Sequence, residues 1–278
     1  MKREYYYDVI KSAIMEDSLF KGDITTQAIF LKKDIRSFRL IAKEDGILCG
    51  SEIFTEVFKL IDIDCSIEFH YSDSNKIRKG DIVGRVKGDI RNILRGERIA
   101  LNFISHLSGI ATKTAKYVAE SGGKVKITDT RKTIPGLRAL QKYAVKCGGG
   151  INHRFGLYDM VLIKDNHIDG AGGIKNAVKM VRDMWGKEYK IEVETRTLEE
   201  VKEALESDVD VIMLDNMGLD MTKEALKIID KKIEIEVSGN MSIEKINIFS
   251  KLEGITSISF GELTHSVESL DFSLKVES

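Results

Sequence analysis

The sequence predicts an α/β protein in two parts, and three observations carry that prediction. The chain has 278 residues, enough to bury a substantial core as one large domain or two of ordinary size. Its grammar changes near residue 124, from helices mixed with short alternating strands to a repeat of strand, short loop and helix. The strands of that repeat end, one after another, in polar or charged residues at their C-terminal edges.

In the first part, "SFRLIAKEDGILCG" and "IDCSIEFHYSD" alternate apolar and polar residues as half-buried strands do. "IRKGDIVGRVKGDI" spaces Gly80, Gly84 and Gly88 around alternating apolar residues, a pattern shared with small lipoyl or biotinyl carrier domains. No lysine stands at an evident hairpin tip to carry a cofactor, so the segment reads as scaffold. "ILRGERIALNFISHLSGIATKTAKYVAES" repeats apolar residues at spacings of three and four, which predicts one long helix joining the two parts.

The second part offers six strand candidates: "KVKITDT", "DMVLIKD", "KIEVETR", "DVIMLDN", "IEIEVSG" and "SISFGEL". Amphipathic stretches such as "TLEEVKEALES" and "MTKEALKIIDK" lie between most of them, which favours parallel strands with helical crossovers. The region spans about 140 residues, whereas a complete eight-fold barrel needs about 250, so a short barrel and an open sheet are both physical options. "SVESLDFSLKV" is one more apolar alternation, expected to return to the first part.

Lys plus Arg (43) nearly balances Asp plus Glu (44), so neither nucleic acid nor an anionic membrane is an expected partner, and any anion site must be local. The N-terminus lacks the apolar run of a signal peptide, and no segment has the apolar length of a membrane helix. Cys49, Cys65 and Cys147 form neither a CxxC pair nor a metal spacing and read as reduced thiols of a cytoplasmic protein. There is no Walker sequence or GxGxxG. His106, His167 and His265 sit beside turn or helix residues and read as structural hydrogen-bonding groups.

The strand ends carry the functional argument. They bring Asp129, Thr130, Arg131 and Lys132, then Lys164 and Asp165, Glu194 to Arg196, Asp215 and Asn216, Ser238 and Gly239, and Gly261 and Glu262. Ligands of parallel α/β barrels and open sheets bind at that edge. Arg131, Lys132 and Lys164, with His153 and Arg154 from "GGGINHRFGLYD", suit carboxylates or phosphates. Glu194 and Asp215 suit sugar hydroxyls or a hydrated divalent ion, and Ser238, Gly239 and Gly261 let backbone N–H groups approach a phosphate. Such a rim predicts a multiply anionic substrate together with a metal-bound polyphosphate or sugar.

These motifs resemble the quinolinate phosphoribosyltransferase (carboxylating nicotinate-nucleotide pyrophosphorylase) family. The resemblance runs from "EDSLFKGDITT" through "GERIALNFISHLSGIAT" and "TDTRKTIPGLRALQKYAVKCGGGINHRFGLYDMVLIKDNHI" to "VETRTLEEV", "IMLDNM", "VSGNM" and "FGELTHS". It implies an N-terminal α/β sandwich over 1–108 and an incomplete, about six-stranded α/β barrel over 109–265, with the tail 266–278 rejoining the sandwich. It implies transfer of a phosphoribosyl group from 5-phosphoribosyl-1-pyrophosphate to quinolinate with decarboxylation, as in NAD synthesis, with Mg²⁺ as cofactor. It implies a homodimer or dimer-based oligomer in which Arg98, in "GERIALN", reaches the partner's site.

By the same resemblance, Arg98, Arg131, His153, Arg154 and Lys164 would hold quinolinate, Thr130 would be among the substrate-binding residues, and Lys132 and Lys164 would offset the charge of the second substrate. Glu194 and Asp215 would engage ribose and, through water, Mg²⁺; these two with Lys132 and Lys164 form the expected catalytic set. Ser238, Gly239, Asn240 and the turn Ser259, Phe260, Gly261 would receive the 5-phosphate. Asn240 replaces a glycine common in the family, and Glu262 stands where a small residue is common, adding a negative charge near that turn. A paralogue tied to molybdenum-transport operons shares the fold with a different substrate, although the complete "GGGINHRFGLYD" and "KDNH" blocks favour quinolinate. An aldolase-like role for Lys164 is the other enzymatic alternative, disfavoured because an anion-binding rim keeps the lysine protonated.

Overall fold

The structure, a computed structural model, describes residues 2–277. The chain divides into two compact units, one made of the residues up to Ala115, Thr133–Gly149 and the residues from Glu262 on, the other of Lys116–Lys132 and Gly150–Gly261.

The first unit opens with α1 (Tyr7–Ser18) and α2 (Ile24–Ile29), the latter capped by Asp23, whose carboxylate accepts the N–H groups of Thr25 and Thr26. Next come β1 (Ile35–Ala42), β2 (Gly46–Ile47), α3 (Ser51–Ile61), β3 (Ser66–Phe69), β4 (Lys76–Ile77), β5 (Ile82–Asp89) and the long α4 (Ile90–Ser121). In β1 the alternation of the sequence becomes burial, with Phe38, Leu40 and Ala42 facing the core. Gly84 in β5 is required by close packing, because a Cβ there would sit 2.5 Å from the Glu68 carbonyl oxygen. Gly84 thus serves strand contact, while Gly80, with φ +94°, serves the turn before the strand, as a scaffold reading requires. At 32 residues α4 is about 48 Å long, and its apolar stripe buries Ile93, Ala100, Ile104, Leu107 and Ile110.

The second unit repeats strand and helix. Its strands are β6 (Lys126–Thr128), β7 (Val161–Ile163), β8 (Ile191–Thr195), β9 (Val211–Asp215), β10 (Glu234–Ser238) and β11 (Ser257–Ser259). After β6 the chain passes through α5 (Arg138–Cys147), which belongs to the first unit. After β7 come α6 (Asp165–Ala171) and α7 (Ile174–Trp185), and α8 (Leu198–Leu205), α9 (Leu219–Ile229) and α10 (Ile243–Phe249) follow β8, β9 and β10 in turn. The six strands form one parallel, barrel-like sheet in the order β6-β11-β10-β9-β8-β7. A parallel bridge between Thr128 and Ile151 extends it beyond β6. The incomplete six-stranded barrel expected from the resemblance is therefore present.

Past the short α11 (Glu262–His265), β12 (Phe272–Val276) adds to β1 in antiparallel register, pairing Phe38 with Val276 and Ala42 with Phe272. The four strands β12-β1-β5-β3 make the antiparallel sheet of the first unit, and β2 with β4 a small second one. No helix among the described residues is long and apolar enough to cross a membrane.

Candidate active site

Register places the chemistry. Across the parallel sheet Glu194 of β8 pairs with Met213 of β9, Met213 with Glu236 of β10, and Glu236 with Ser257 of β11. Asp215 pairs with Ser238, whose hydroxyl accepts a hydrogen bond from Ser259 at 2.9 Å. Because side chains alternate along a strand, these rows share one face of the sheet. β8 is buried along its whole length, so Glu192 and Glu194 leave its apolar partners Ile191 and Val193 on the opposite face.

That face opens into a cavity of about 640 Å³. Thr130, Arg131 and Lys132 line it from just beyond β6, His153 and Arg154 from the loop between α5 and β7, and Lys164 from the end of β7. Glu194, Asp215, Ser238, Gly239, Asn240 and Ser259 complete the predicted residues on its wall. Phe260 and Gly261 are not on it: the Phe260 ring is buried edge-on against Tyr117, 5.0 Å between centroids, and its N–H bonds the Thr128 carbonyl. Arg98 belongs to α4 in the first unit and lines a different cleft of about 320 Å³.

Each wall residue is fixed by local chemistry. The Thr130 hydroxyl accepts the Lys132 N–H at 3.0 Å, a short turn that sets Lys132 beside Arg131. Buried Asp129 accepts the His153 N–H at 2.9 Å, tying the histidine loop to the end of β6. Both ring nitrogens of His153 are engaged within the protein: Nδ1 accepts the Arg154 N–H at 2.8 Å, so Nε2 carries the proton and donates to Glu192 at 2.8 Å. Arg154 is buried and donates to the Met160 carbonyl at 3.1 Å; burial first, then the neighbouring Arg131, pulls its guanidinium below the ordinary range. Lys164 forms an ion pair with Glu194, while its N–H is held by His167 Nδ1 at 3.0 Å.

Where Asn216, Gly239 and Asn240 line the cavity, the backbone turns left-handed. Asn216 and Asn240 adopt positive φ of 55° and 45°, and Gly239 a φ of +83°. Asparagine tolerates this geometry, which accommodates Asn240 where the family often has glycine. A Cβ on Gly239 would fall 2.4 Å from Asn216 Oδ1, so only glycine fits. Glu262, the second departure, turns to Lys113, whose ammonium donates to its carbonyl at 3.0 Å and lies 3.4 Å from its carboxylate. Glu262 is not one of the residues lining the cavity.

Glu236, on the cavity wall, and Glu192 beneath it were not among the expected site residues. Both are almost fully buried, and each has a carboxylate oxygen that accepts no hydrogen bond, although that of Glu236 lies 3.8 Å from His153 Nε2. Burial first, then the Glu192 charge, pushes the Glu236 carboxyl up to about 7, with His153 and two serine hydroxyls opposing. The signal for both was available: "KIEVETR" and "IEIEVSG" each carry two acids alternating with apolar residues, and in each Glu192 or Glu236 sits mid-strand. His106 and His167 are structural, as expected; the ring of His106 meets the Gln141 amide at 2.9 Å, and burial lowers its pKa.

The donor set fits Mg²⁺. Glu194 and Asp215 present hard carboxylate oxygens to the same cavity, the donor type a hydrated divalent ion takes, and the one soft donor on that wall is the Met213 thioether. His153, Glu192 and Glu236 also gather within 4.8 Å, but their nearest contact is the hydrogen bond from His153 to Glu192. The cavity as a whole pairs a cationic side, Arg131, Lys132, Arg154 and Lys164, with an acidic side, Glu194, Asp215 and Glu236. It suits a substrate with several carboxylate or phosphate groups and a hydroxylated ring.

Comparison with known proteins gives the same direction. Residues 23–108 match the family model of the quinolinate phosphoribosyl transferase N-terminal domain, and residues 110–275 that of its C-terminal domain. The chain is 44% identical over 289 residues to the chloroplastic nicotinate-nucleotide pyrophosphorylase [carboxylating] of Oryza sativa subsp. japonica, covering 97% of this chain and 77% of that protein. It is 44% identical over 256 residues to the probable nicotinate-nucleotide pyrophosphorylase [carboxylating] of Bacillus subtilis (strain 168), covering 92% and 88%. The crystal structure of NadC from Streptococcus pyogenes superposes with a TM-score of 0.95 at 40% identity, covering 100% of this chain and 98% of that one. With both halves of the fold and the motifs of the cavity accounted for, the chain belongs to the quinolinate phosphoribosyl transferase family.

Proposed function

We propose that this chain is a pentosyltransferase that joins quinolinate to 5-phosphoribosyl-1-pyrophosphate and decarboxylates the product, releasing nicotinate mononucleotide, pyrophosphate and carbon dioxide. The observation that carries the reading is the cavity at the C-terminal ends of six parallel strands, where four cations face the carboxylates of Glu194 and Asp215. The names of the curated relatives support quinolinate over the substrate of a molybdenum-operon paralogue.

In this reading Arg131 and Arg154 hold the two quinolinate carboxylates, with bidentate geometry that orients the ring nitrogen. Thr130 sets that loop, and His153, its ring fixed by Glu192, presents Arg154. Ser238, Gly239, Asn240 and Ser259 receive the 5-phosphate through hydroxyl and backbone N–H groups, with Phe260 and Gly261 supporting the turn behind them. Glu194 and Asp215 hold the ribose hydroxyls and, through water, the Mg²⁺ that accompanies pyrophosphate. When bound, that ion neutralises charge developing on the leaving group.

The pyridine nitrogen is a neutral nucleophile and needs no general base. The barrier lies in breaking the ribose–pyrophosphate bond, which leaves positive charge on the ribose, stabilised by Glu194 and Asp215. Lys132 and Lys164 offset the departing anion. Once the ring nitrogen is quaternary it accepts the electron pair left by carbon dioxide, so the chain's part in decarboxylation is positioning. Arg98 of the partner subunit completes the carboxylate site in a homodimer or dimer-based assembly. The balanced charge and three free cysteines support a cytoplasmic setting.

The test is consumption of quinolinate by the purified chain with 5-phosphoribosyl-1-pyrophosphate and Mg²⁺, followed by absorbance. Turnover is the expected result; unchanged quinolinate would refute the reading.

A further inference from the structure

Two of the three cysteines, far apart in sequence, meet in the first unit. Cys49 is fully buried just before Gly50 and α3, and Cys147 is the half-exposed last residue of α5. Their sulfurs and the nearest oxygen of Asp73 all lie within 4.8 Å of one another. The backbone on both sides is held. A Cβ at Gly148 would fall 2.4 Å from the Ala111 carbonyl oxygen, so the end of α5 lies directly against α4. On the other side, Asp73 accepts the N–H groups of Gly50 at 3.0 Å and Ser51 at 3.1 Å, fixing the start of α3. Asp73 also accepts the Tyr143 hydroxyl at 2.8 Å, which ties α5 to the same carboxylate.

The chemistry of the two thiols differs. Cys147 is held down to about 7 by hydrogen bonds from Cys49 first, then Ser74 and Tyr143, against its own burial and the Asp73 charge. Cys49, enclosed and next to Cys147, is pushed well above the ordinary range, chiefly by burial. One sulfur is therefore suited to attack as thiolate, and the other lies within 4.8 Å of it as a thiol. Two cysteines and a carboxylate are also a donor set for zinc, but both Asp73 oxygens are already occupied by two amides and a phenol, which favours sulfur chemistry over metal binding.

We propose that Cys147 and Cys49 form a peroxide-reactive dithiol, with Cys147 as the attacking sulfur and Cys49 as the resolving one. The Cys147 thiolate attacks one peroxide oxygen, the O–O bond breaks, and the departing hydroxide takes a proton to leave as water. The sulfenic acid on Cys147 is then attacked by the Cys49 sulfur; the S–O bond breaks, and the oxygen leaves as a second water with the Cys49 proton. In sum two thiols and one peroxide become a disulfide and two waters, the sulfurs losing the two electrons that the peroxide gains. The product links the end of α5 to the start of α3. This chemistry is independent of the phosphoribosyl transfer proposed above.

Cys65, buried and pushed up to about 11 by its burial and by Asp62, is the internal control. The full-length chain, reduced and then freed of reductant, is treated with hydrogen peroxide and analysed by intact mass and peptide mapping. The expected result is loss of two hydrogens and a Cys49–Cys147 link reversed by dithiothreitol, with Cys65 still a thiol. Before oxidation, Cys147 is alkylated at neutral pH about tenfold or more faster than Cys65. In Cys49→Ser, Cys147 stops at a sulfenic acid that dimedone traps. Equal reactivity of Cys147 and Cys65, or no link between Cys49 and Cys147 in the oxidised wild type, overturns the proposal. So does stoichiometric zinc in the purified chain that Cys147→Ser releases.

Discussion

Arg131 stands at the end of β6 with Lys132 beside it, on the wall of a cavity whose acidic side is two strands away or more. If it holds a quinolinate carboxylate, Arg131→Ala weakens quinolinate binding by roughly 10- to 100-fold, the worth of a charge-assisted pair, measured by calorimetry. Its folding stability changes by less than about 1 kcal/mol, because the side chain is partly solvated. Glu236 makes a prediction of opposite kind. Its carboxyl is raised from an ordinary 4.5 to about 7, so between those values the folded chain keeps a proton that the unfolded chain has lost. Stability then falls as pH rises from 4.5 to 7 and stays lower above it. Glu236→Gln removes that component, worth on the order of 3 kcal/mol, so the variant gains stability over wild type at about pH 8 and not at about pH 4 in thermal melts. Arg131 was legible in the sequence because a strand end is recognisable locally. The roles of Glu192 and Glu236 were not, since what they touch depends on which strands become neighbours. The commitment of His153 Nε2 was hidden for the same reason, as its partner Glu192 lies 39 residues away.

At the scale of elements, the loops after β9 and β10 are coupled through Asn216 and Gly239. Gly239→Ala adds a methyl where Asn216 stands and strains a left-handed backbone, costing roughly 1–3 kcal/mol of stability in denaturant melts. If this turn receives the 5-phosphate, the variant also raises KM for 5-phosphoribosyl-1-pyrophosphate by about tenfold or more, a loss of about 1.4 kcal/mol. A comparable contact lies on α4, where a Cβ on Gly109 would meet the Glu268 carbonyl oxygen at 2.2 Å. Gly109→Ala displaces the segment leading into β12 and destabilises the first unit by about 1–3 kcal/mol, with the loss visible as faster amide exchange in β12. The helices and strands themselves were legible from periodicity, α4 above all. Less so was the path of the chain after β6: Thr133–Gly149, with α5, packs with the first unit, although nothing in its local pattern separates it from the barrel repeat. The same limit applies to Phe260, whose ring has its place beside Tyr117 only once α4 is folded.

For the molecule as a whole, alternation of strand and helix pointed to a parallel sheet, and length pointed to an incomplete barrel. Order within the sheet, with β6 beside β11 and β7 at the far edge, follows from packing between distant segments and has no local signature. If Arg98 acts in the partner's site, assembly is part of catalysis. Arg98→Ala alone then loses activity, as does Lys132→Ala alone, while a mixture of the two unfolded and refolded together regains about a quarter of wild-type activity, as statistical pairing of subunits in shared dimers requires. Absence of any recovery in a mixture that sedimentation shows to be co-assembled would place Arg98 outside the partner's site.

If one cavity couples phosphoribosyl transfer to decarboxylation, a product balance reveals the coupling. Quinolinate carrying labelled carboxyl carbon at the position next to the ring nitrogen is incubated with the purified chain, 5-phosphoribosyl-1-pyrophosphate and Mg²⁺. Nicotinate mononucleotide, pyrophosphate and labelled carbon dioxide are expected in equal amounts, all three abolished together in Lys132→Ala. Pyrophosphate released without nicotinate mononucleotide, or a nucleotide product that keeps the label, would contradict that coupling.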